Sequence, residues 1–258
     1  MTDFIHQYWE SQASKHGTSH EASWGDNFMI ALEIDAIAQH LADGQVVLDA
    51  GCANGHAAFE QLKRHKLERL VGIDYSANMV SAARLAQTQR KLDDRIEFHE
   101  GDIRALAFPD ASFDVVYTTR VLINLQTWDE QVTGINECLR VTRPGGKVVL
   151  SEAFWEPLAL LNAMRALRQL PPLVEHDFNR YLKRQRLEDL LHSLRLEFSV
   201  EDFSSIYYLG SRFLRELVTD PSAYPGYSNP INEIFYGIEQ RFSGGGFGVQ
   251  QAYIVHKR

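Results

Sequence analysis

The chain is short of cysteine, of positive charge and of long apolar runs, and each shortage excludes a class of protein. Of its 258 residues only two, Cys52 and Cys138, are cysteines. Two thiols make no disulfide framework, and they lack the clustered partners of a zinc site. Lysine and arginine total 26 against 34 acids, a formal charge of −8. A protein that tracks a nucleic-acid backbone needs basic residues in excess, so a broad phosphate footprint is excluded while a local basic pocket is not. No run of about 18 apolar residues occurs, so no membrane span is expected. The start, MTDFIHQYWE, carries acids and aromatics where a signal peptide has a basic flank and an apolar stretch. A reduced, cytoplasmic setting is the expectation. At 45% hydrophobic and 23% charged residues, the chain has enough apolar material to bury a core.

What the sequence does contain is alternation. QVVLDA (45–50), RLVGID (69–74), RIEFHEGD (95–102), FDVVYTT (113–119) and KVVLSEAF (147–154) are short apolar runs that read as buried strands. Between them, residues 56–66, SANMVSAARLAQTQ (76–89) and TWDEQVTGINECLRVT (127–142) read as helices, with Ser76 a cap candidate. This spacing predicts parallel strands joined by crossover helices, a doubly wound α/β sheet. Each strand closes on polar residues: Asp49, Asp74, Asp102, Thr118 to Arg120, and Glu152. Ligands of open α/β sheets sit outside the carboxyl ends of the strands, so these residues are expected to share one site. Residues 28–41 read as an amphipathic helix ahead of the first strand. After the fifth strand come two helical stretches, a strand-like EFSVEDFSSIYYL (197–209), a turn-rich loop (219–232) and a last strand, GVQQAYIVHK (248–257).

The turn after the first strand is DAGCANG (49–55). It fails the dinucleotide pattern G-x-G-x-x-G, because Ala53 and His56 stand where the second and third glycines belong. With VGIDYSANMV, GDIRALAFPDASFDVVYTTRVL and LRVTRPGGKVVLSE following in order across roughly residues 45–153, the chain resembles the class I S-adenosylmethionine-dependent methyltransferases. That resemblance implies a Rossmann-like, mostly parallel seven-stranded sheet in a single domain. Residues 1–44 would form an N-terminal lid, 45–153 the cofactor-binding core, and 154–258 a substrate cap with the final strands. It implies S-adenosylmethionine as cofactor, S-adenosylhomocysteine as its product, and no metal. Ala53 departs from the family, whose first motif usually has a middle glycine.

The resemblance also assigns residues. Gly51, Cys52 and Gly55 shape the turn and Asp49 organises it, with Cys52 a packing residue and not a nucleophile. The free N–H groups of the following helix receive the cofactor's carboxylate. Asp74 accepts from the ribose hydroxyls. Asp102 accepts from the adenine amino group with Ile103 packed on the ring, and Tyr75 and Met79 cover the adenine or ribose face. Thr119 and Arg120 complete the cofactor set from the fourth strand, and Trp24 from the lid. Tyr8, Trp9, His16 and His20 are further lid candidates.

Methyl transfer from a sulfonium is an in-line displacement, in which the protein aligns the nucleophile and excludes water. An amine acceptor needs only to be neutral, whereas a hydroxyl benefits from a base. Glu152 and His176 are the candidate bases; a helix N-terminal acid and a structural histidine are the alternatives for these positions. Arg120 is a candidate for an anionic substrate group or an ion pair. Asn162 and Arg165 share one helix face, and Tyr207, Tyr208 and Arg212 lie close together; all five are candidates for the substrate pocket. Strand alternation predicts that only one of the two tyrosines points inward. The long insert after the fifth strand implies an enclosed site, hence a small-molecule O- or N-methyltransferase with no nucleic-acid or membrane partner. An exposed apolar face of the insert is a candidate homodimer contact. The insert and tail are loosely similar to methyltransferases of sugar or glycan biosynthesis. RNA or protein methylation and a non-catalytic cofactor-binding scaffold are the alternatives.

Overall fold

The computed structural model describes residues 4–92, 94–220 and 222–258. Residues 1–3 of the expected lid and Pro221 of the 219–232 loop therefore lie outside the described residues. Seven strands form one sheet: β1 (Val46–Ala50), β2 (Arg69–Asp74), β3 (Ile96–Glu100), β4 (Phe113–Thr119), β5 (Thr142–Ala153), β6 (Glu197–Glu201) and β7 (Gln250–His256). Their order is β3-β2-β1-β4-β5-β7-β6. Strands β1 to β5 pair in parallel, and β7 runs antiparallel to both β5 and β6. The helices are α1 (Phe4–His16), α2 (Asn27–Ala38), α3 (His56–Arg64), α4 (Ala77–Gln89), α5 (Trp128–Val141), α6 (Trp155–Leu167) and α7 (Arg184–Ser193). A further helical run comprises α8 (Ser205–Leu209), a π turn (Gly210–Leu214) and α9 (Arg215–Val218), and α10 (Ile231–Glu239) follows it. Among the described residues, no helix is long and apolar enough to cross a membrane.

The central strands are apolar without alternation because both their faces are covered. Leu48, Val71, Val116 and Val148 pack against Ile135, Cys138 and Val141 of α5 and Leu187 and Leu191 of α7. On the opposite face, Val47, Leu70, Val115 and Val149 meet Ile37 of α2, Ala58 and Phe59 of α3, and Val80 and Ala83 of α4. The sheet is doubly wound as its sequence implies. Local signals start the helices: Ser76 Oγ accepts from the Met79 N–H at 3.1 Å. Thr127 and Glu130 close a reciprocal capping box on α5, worth about 1 kcal/mol.

Two expectations change. The 28–41 segment is not amphipathic: α2 buries Met29, Ile30, Leu32, Glu33, Ile34, Ala36 and Ile37, because it is packed among the sheet, α3 and α10. The strand expected over 197–209 ends at Glu201, and Ser205 to Leu209 are helical. Ser204 Oγ donates to the Gln250 carbonyl at 2.6 Å and Ser205 Oγ accepts from the Phe247 N–H at 2.9 Å, which turns the chain off the sheet edge. Helical geometry then buries Tyr207 and Tyr208 together, so the one-in, one-out expectation fails.

Gly210 lets this helical run approach α10. A Cβ there would lie 2.0 Å from Cγ of Phe235, a contact that only movement of the ring or the helix relieves. Gly210→Ala is expected to lower the unfolding free energy by about 1–3 kcal/mol in a urea titration, as overpacking does. An unchanged midpoint would show that α10 is not held by this contact.

Candidate active site

The strand order reverses direction between β1 and β4, and a cavity of about 380 Å³ lies at the carboxyl ends of these strands. The turn after β1 forms its floor. Gly51 has φ +98°, and a Cβ on it would lie 2.0 Å from Cγ2 of Val121, so the loop after β4 is seated directly on this glycine. Ala53 is left-handed as well, with φ +46°, a conformation costing an L-residue roughly 1–2 kcal/mol. Its N–H donates to Asp74 Oδ2 at 2.8 Å, and the Ser76 N–H donates to Asp74 Oδ1 at 2.9 Å. One carboxylate thus braces the strained turn to the start of α4. Gly55 caps α3 without a side-chain acceptor, and among the described residues the His56 and Ala57 N–H groups at that helix start have no acceptor.

Among the described residues, several polar groups around the cavity lack partners: Asp49 Oδ2, Thr119 Oγ1 and Asn124 Oδ1 are buried without a hydrogen bond, and their residues line the cavity. Burial pushes the Asp49 carboxyl up to about 7, and the nearby Tyr117 hydroxyl offsets only part of that rise. Burial likewise raises Asp74 to about 6, against the hydrogen bonds from Ser76 and Ala53. The Cys52 thiol is pushed well above its ordinary value by burial and the neighbouring Asp49 and Asp74. A neutral, buried thiol is a packing group.

At the β3 end, Ile103 is buried and Asp102 is clamped by Arg104, whose Nη2 donates to Asp102 Oδ2 at 2.6 Å. Burial acts to raise Asp102, but the Arg104 guanidinium and N–H outweigh it and hold the carboxyl below its usual range. Arg104 Nη1 also reaches Glu130 at 2.7 Å. On the opposite wall, Arg120 Nε donates to both oxygens of Glu33, at 2.9 and 3.2 Å. Burial pushes Glu33 up to about 7 despite Arg120 beside it. Ile30, Ile34 and Ile37 of the same helix, with Ile5 and Trp9 of α1, supply the apolar wall.

The N-terminal segment, which lines the cavity with Ile5, Trp9 and Ser23, is held by specific ties. Asn54 Nδ2 donates to the carbonyls of Gly17 and Ser19, at 3.0 and 2.6 Å. Glu10 accepts from Ser76 Oγ at 2.6 Å. Tyr8 packs on Phe178 with ring centroids 4.5 Å apart, joining α1 to the segment after α6. Of the remaining lid candidates, His20 meets Asn27 at 2.6 Å and His16 faces Glu21 at 3.6 Å.

The structure therefore gathers Asp49, Gly51, Cys52, Asp74, Tyr75, Met79, Asp102, Ile103, Thr119 and Arg120 around one cavity. Gly55 stands at the adjoining helix cap. The other sequence candidates lie elsewhere. Glu152 is fully buried below the cavity and accepts from Thr118 Oγ1 at 2.7 Å and from the N–H groups of Val121, Leu122 and Ile123. Its oxygens are consumed in holding the loop after β4, so it is a positioning residue rather than a base. His176 is exposed and stacks on Phe178, outside the lid. Asn162 pairs with the Leu173 backbone, and Arg165 donates to the Pro171 and Arg212 carbonyls, so both hold the insert together. Tyr207 and Arg212 converge on Asp26, the N-cap of α2, with Tyr208 against the Arg212 guanidinium. Trp24 lies behind Arg120 rather than on the cavity wall. Glu33, Asn54 and Asn124 escaped the sequence reading. Glu33 alone carried a signal, an acid inside the apolar run FMIALEIDAIA.

Comparison with known proteins bears on the same region. A family model described as a methyltransferase domain matches residues 47–146. A probable S-adenosylmethionine-dependent methyltransferase of Mycolicibacterium smegmatis is 36% identical over 112 residues, 43% of this chain and 39% of that protein. The 27-O-demethylrifamycin SV methyltransferase of Amycolatopsis mediterranei is 33% identical over 117 residues, 45% of this chain and 42% of that protein. The chain thus spans about two-fifths of the length of these curated relatives. Among solved structures, the complex between the Haloferax volcanii Trm112 methyltransferase activator and a putative methyltransferase contains a chain with TM-score 0.62, 15% identity and 100% coverage of both chains. At that identity the likeness speaks for the fold alone. The matched stretch, which carries a methyltransferase domain, is the one that builds the β1 turn, the Asp74 brace and the β4 loop, and through it the chain is similar to S-adenosylmethionine-dependent methyltransferases.

Proposed function

We propose that this chain transfers the methyl group of S-adenosylmethionine to a hydroxyl or amine of a small molecule enclosed in the cavity. The observation that carries the reading is the set of unpaired polar groups there: Asp49 Oδ2, Thr119 Oγ1, Asn124 Oδ1 and the α3 N–H groups. Buried polar groups are nearly always paired, so a cluster without partners around one cavity argues for a ligand that supplies them. S-Adenosylmethionine carries the matching groups: cationic centres, a carboxylate, a diol and a flat ring. Asp49 would face its positive charge, and the start of α3 its carboxylate. Asp74 retains lone pairs for the ribose hydroxyls, while Ile103 and Met79 offer apolar surface to the adenine.

When bound, the cofactor supplies a methyl group already activated for displacement. What remains for the chain is to orient the nucleophile and exclude water. Helix α1 and the turn that follows it do the second, held by the ties of Glu10 and Asn54. Glu33 is the carboxylate on the acceptor side of the cavity, in the place where a base was sought in Glu152 and His176. Residues 1–44 are then a lid, 45–153 the cofactor core and 154–258 a cap that fixes the outer wall. The cavity's volume of about 380 Å³ and the charge of −8 favour a small acceptor over RNA.

Calorimetry with S-adenosylhomocysteine tests the cofactor reading directly. The intact chain is expected to bind, and Asp74→Ala to weaken binding by about tenfold or more, as loss of charge-assisted hydrogen bonds does. Equal affinity in the two proteins would remove Asp74 from the ribose.

A second test uses pH. The folded chain keeps a proton on Asp49 up to about 7, whereas the unfolded chain releases it at its ordinary, lower value. The stability linked to that proton is therefore complete at low pH and is lost as pH rises through about 7. In thermal melts of the ligand-free protein, Asp49→Asn should gain stability relative to the parent between about pH 5 and pH 8, on the order of 1–3 kcal/mol. Saturating S-adenosylmethionine should shrink that gain, because its positive charge pairs with ionised Asp49. A gap that ignores the cofactor would place the cation elsewhere.

A further inference from the structure

Arg120 is fixed on three sides and open on the fourth. Its backbone is left-handed, with φ +57°, and is held there: its N–H donates to the Ser151 carbonyl at 2.9 Å and its carbonyl accepts from Asn124 Nδ2 at 2.7 Å. Its Nε is shared between the two oxygens of Glu33. Its guanidinium carbon lies 4.8 Å from the ring centroid of Trp24. That indole is itself fixed by a 2.8 Å hydrogen bond from Nε1 to the Tyr227 hydroxyl. Nη1 and Nη2, in contrast, donate to no acceptor among the described residues, and the residue lines the cavity. The other arginine on the cavity wall, Arg104, has Nε, Nη1 and Nη2 all engaged by Asp102 and Glu130.

A guanidinium held by Nε and one face presents its remaining N–H groups as a rigid fork, the geometry that matches a planar carboxylate. We propose that Arg120 is the receptor for a carboxylate carried by the methyl acceptor, which makes the acceptor a small organic acid. This rests on the methyltransferase reading above, in which the start of α3 takes the cofactor's own carboxylate. Left-handed backbone in a non-glycine residue persists only where the surroundings over-determine it, and such positions cluster at ligand sites.

The Glu33 clamp makes the receptor sensitive to pH. Glu33 faces Arg120 from the β4 loop, Glu152 from β5, Tyr208 from α8 and Asp26 at the start of its own helix, with Arg212 paired to Asp26. While Glu33 is ionised it neutralises Arg120 and opposes an incoming anion. Once Glu33 is protonated, at pH below about 7, the pair carries a net positive charge.

The test is a calorimetric titration of the full chain, saturated with S-adenosylhomocysteine, using benzoate and its neutral isostere benzamide. Benzoate is expected to bind about tenfold or more tightly than benzamide, and Arg120→Met to abolish that preference. Glu33→Gln keeps a hydrogen-bond acceptor and removes the charge, so it should tighten benzoate at about pH 8, where the parent protein binds it least. Equal binding of the two probes, or a preference that survives Arg120→Met, overturns the proposal. So does a loss of S-adenosylhomocysteine affinity in Arg120→Met with 5′-methylthioadenosine affinity retained, because the carboxylate at Arg120 would then be the cofactor's. Should Arg120→Met fail to fold, Arg120→Lys keeps the charge without the fork and is expected to lose most of the preference. The same titration on the unloaded chain separates this outcome from a failure of cofactor binding.

Discussion

The functional face of this protein hangs on a buried carboxylate, Glu152. It sits at the end of β5 with no exposed surface and accepts from the Thr118 hydroxyl and from three consecutive backbone N–H groups, those of Val121, Leu122 and Ile123. Those N–H groups open a short helical turn, Leu122–Asn124, that has no other acceptor for them at its start. Without the carboxylate, the loop after β4 would bury several unsatisfied donors, each unfavourable by about 1–3 kcal/mol. With it, the loop has one shape, and three consequences follow. Val121 presses on Gly51, Arg120 adopts its left-handed backbone, and Asn124 is brought to the cavity wall.

A second carboxylate performs the matching task on the other side of the switch point. Asp74 ties the strained Ala53 to the cap of α4, so the first turn and the second strand move as one body. A glycine would adopt such a backbone without strain; here alanine adopts it with the Asp74 acceptor compensating. Two carboxylates, on strands β2 and β5 that flank the central pair β1 and β4, thus brace the cavity from both sides, and burial raises both above their ordinary range. Their different uses follow from what surrounds them. Glu152 is enclosed by donors from its own chain, whereas Asp74 still borders the cavity.

The N-terminal segment and the insert meet this frame through shared apolar clusters, in which Met29 and Leu32 pack with Ile123, Leu158, Leu161 and Tyr207, and through polar ties and aromatic contacts. Asn54 reaches into the N-terminal segment, Glu10 reaches back to the cap of α4, and Tyr8 packs on Phe178 of the insert. Behind Arg120, a layered set of Trp24, Tyr227 and Arg212 carries the wall down to Asp26 at the start of α2. Closure of the cavity therefore depends on residues drawn from both ends of the chain.

The parallel core, its winding and the position of the glycine-containing turn after β1 were determined by the sequence itself. Strand period, helix caps and glycine placement are local, and a buried parallel strand such as QVVLDA reads the same in any surroundings. Asp49, Asp74 and Ile103 could be named because each is the last or nearly the last residue of such a run. Only the tertiary structure decided which acids line the cavity. Glu152 and Glu33 are indistinguishable by composition, yet one is consumed by three backbone N–H groups and the other lines the cavity beside Arg120. That difference is set by the loop of β4 folding under α2, a contact between residues 87 positions apart that no local pattern encodes. The same holds for Tyr207 and Tyr208, whose β-like composition yielded to helix because α10 and Asp26 supplied packing and a hydrogen-bond partner.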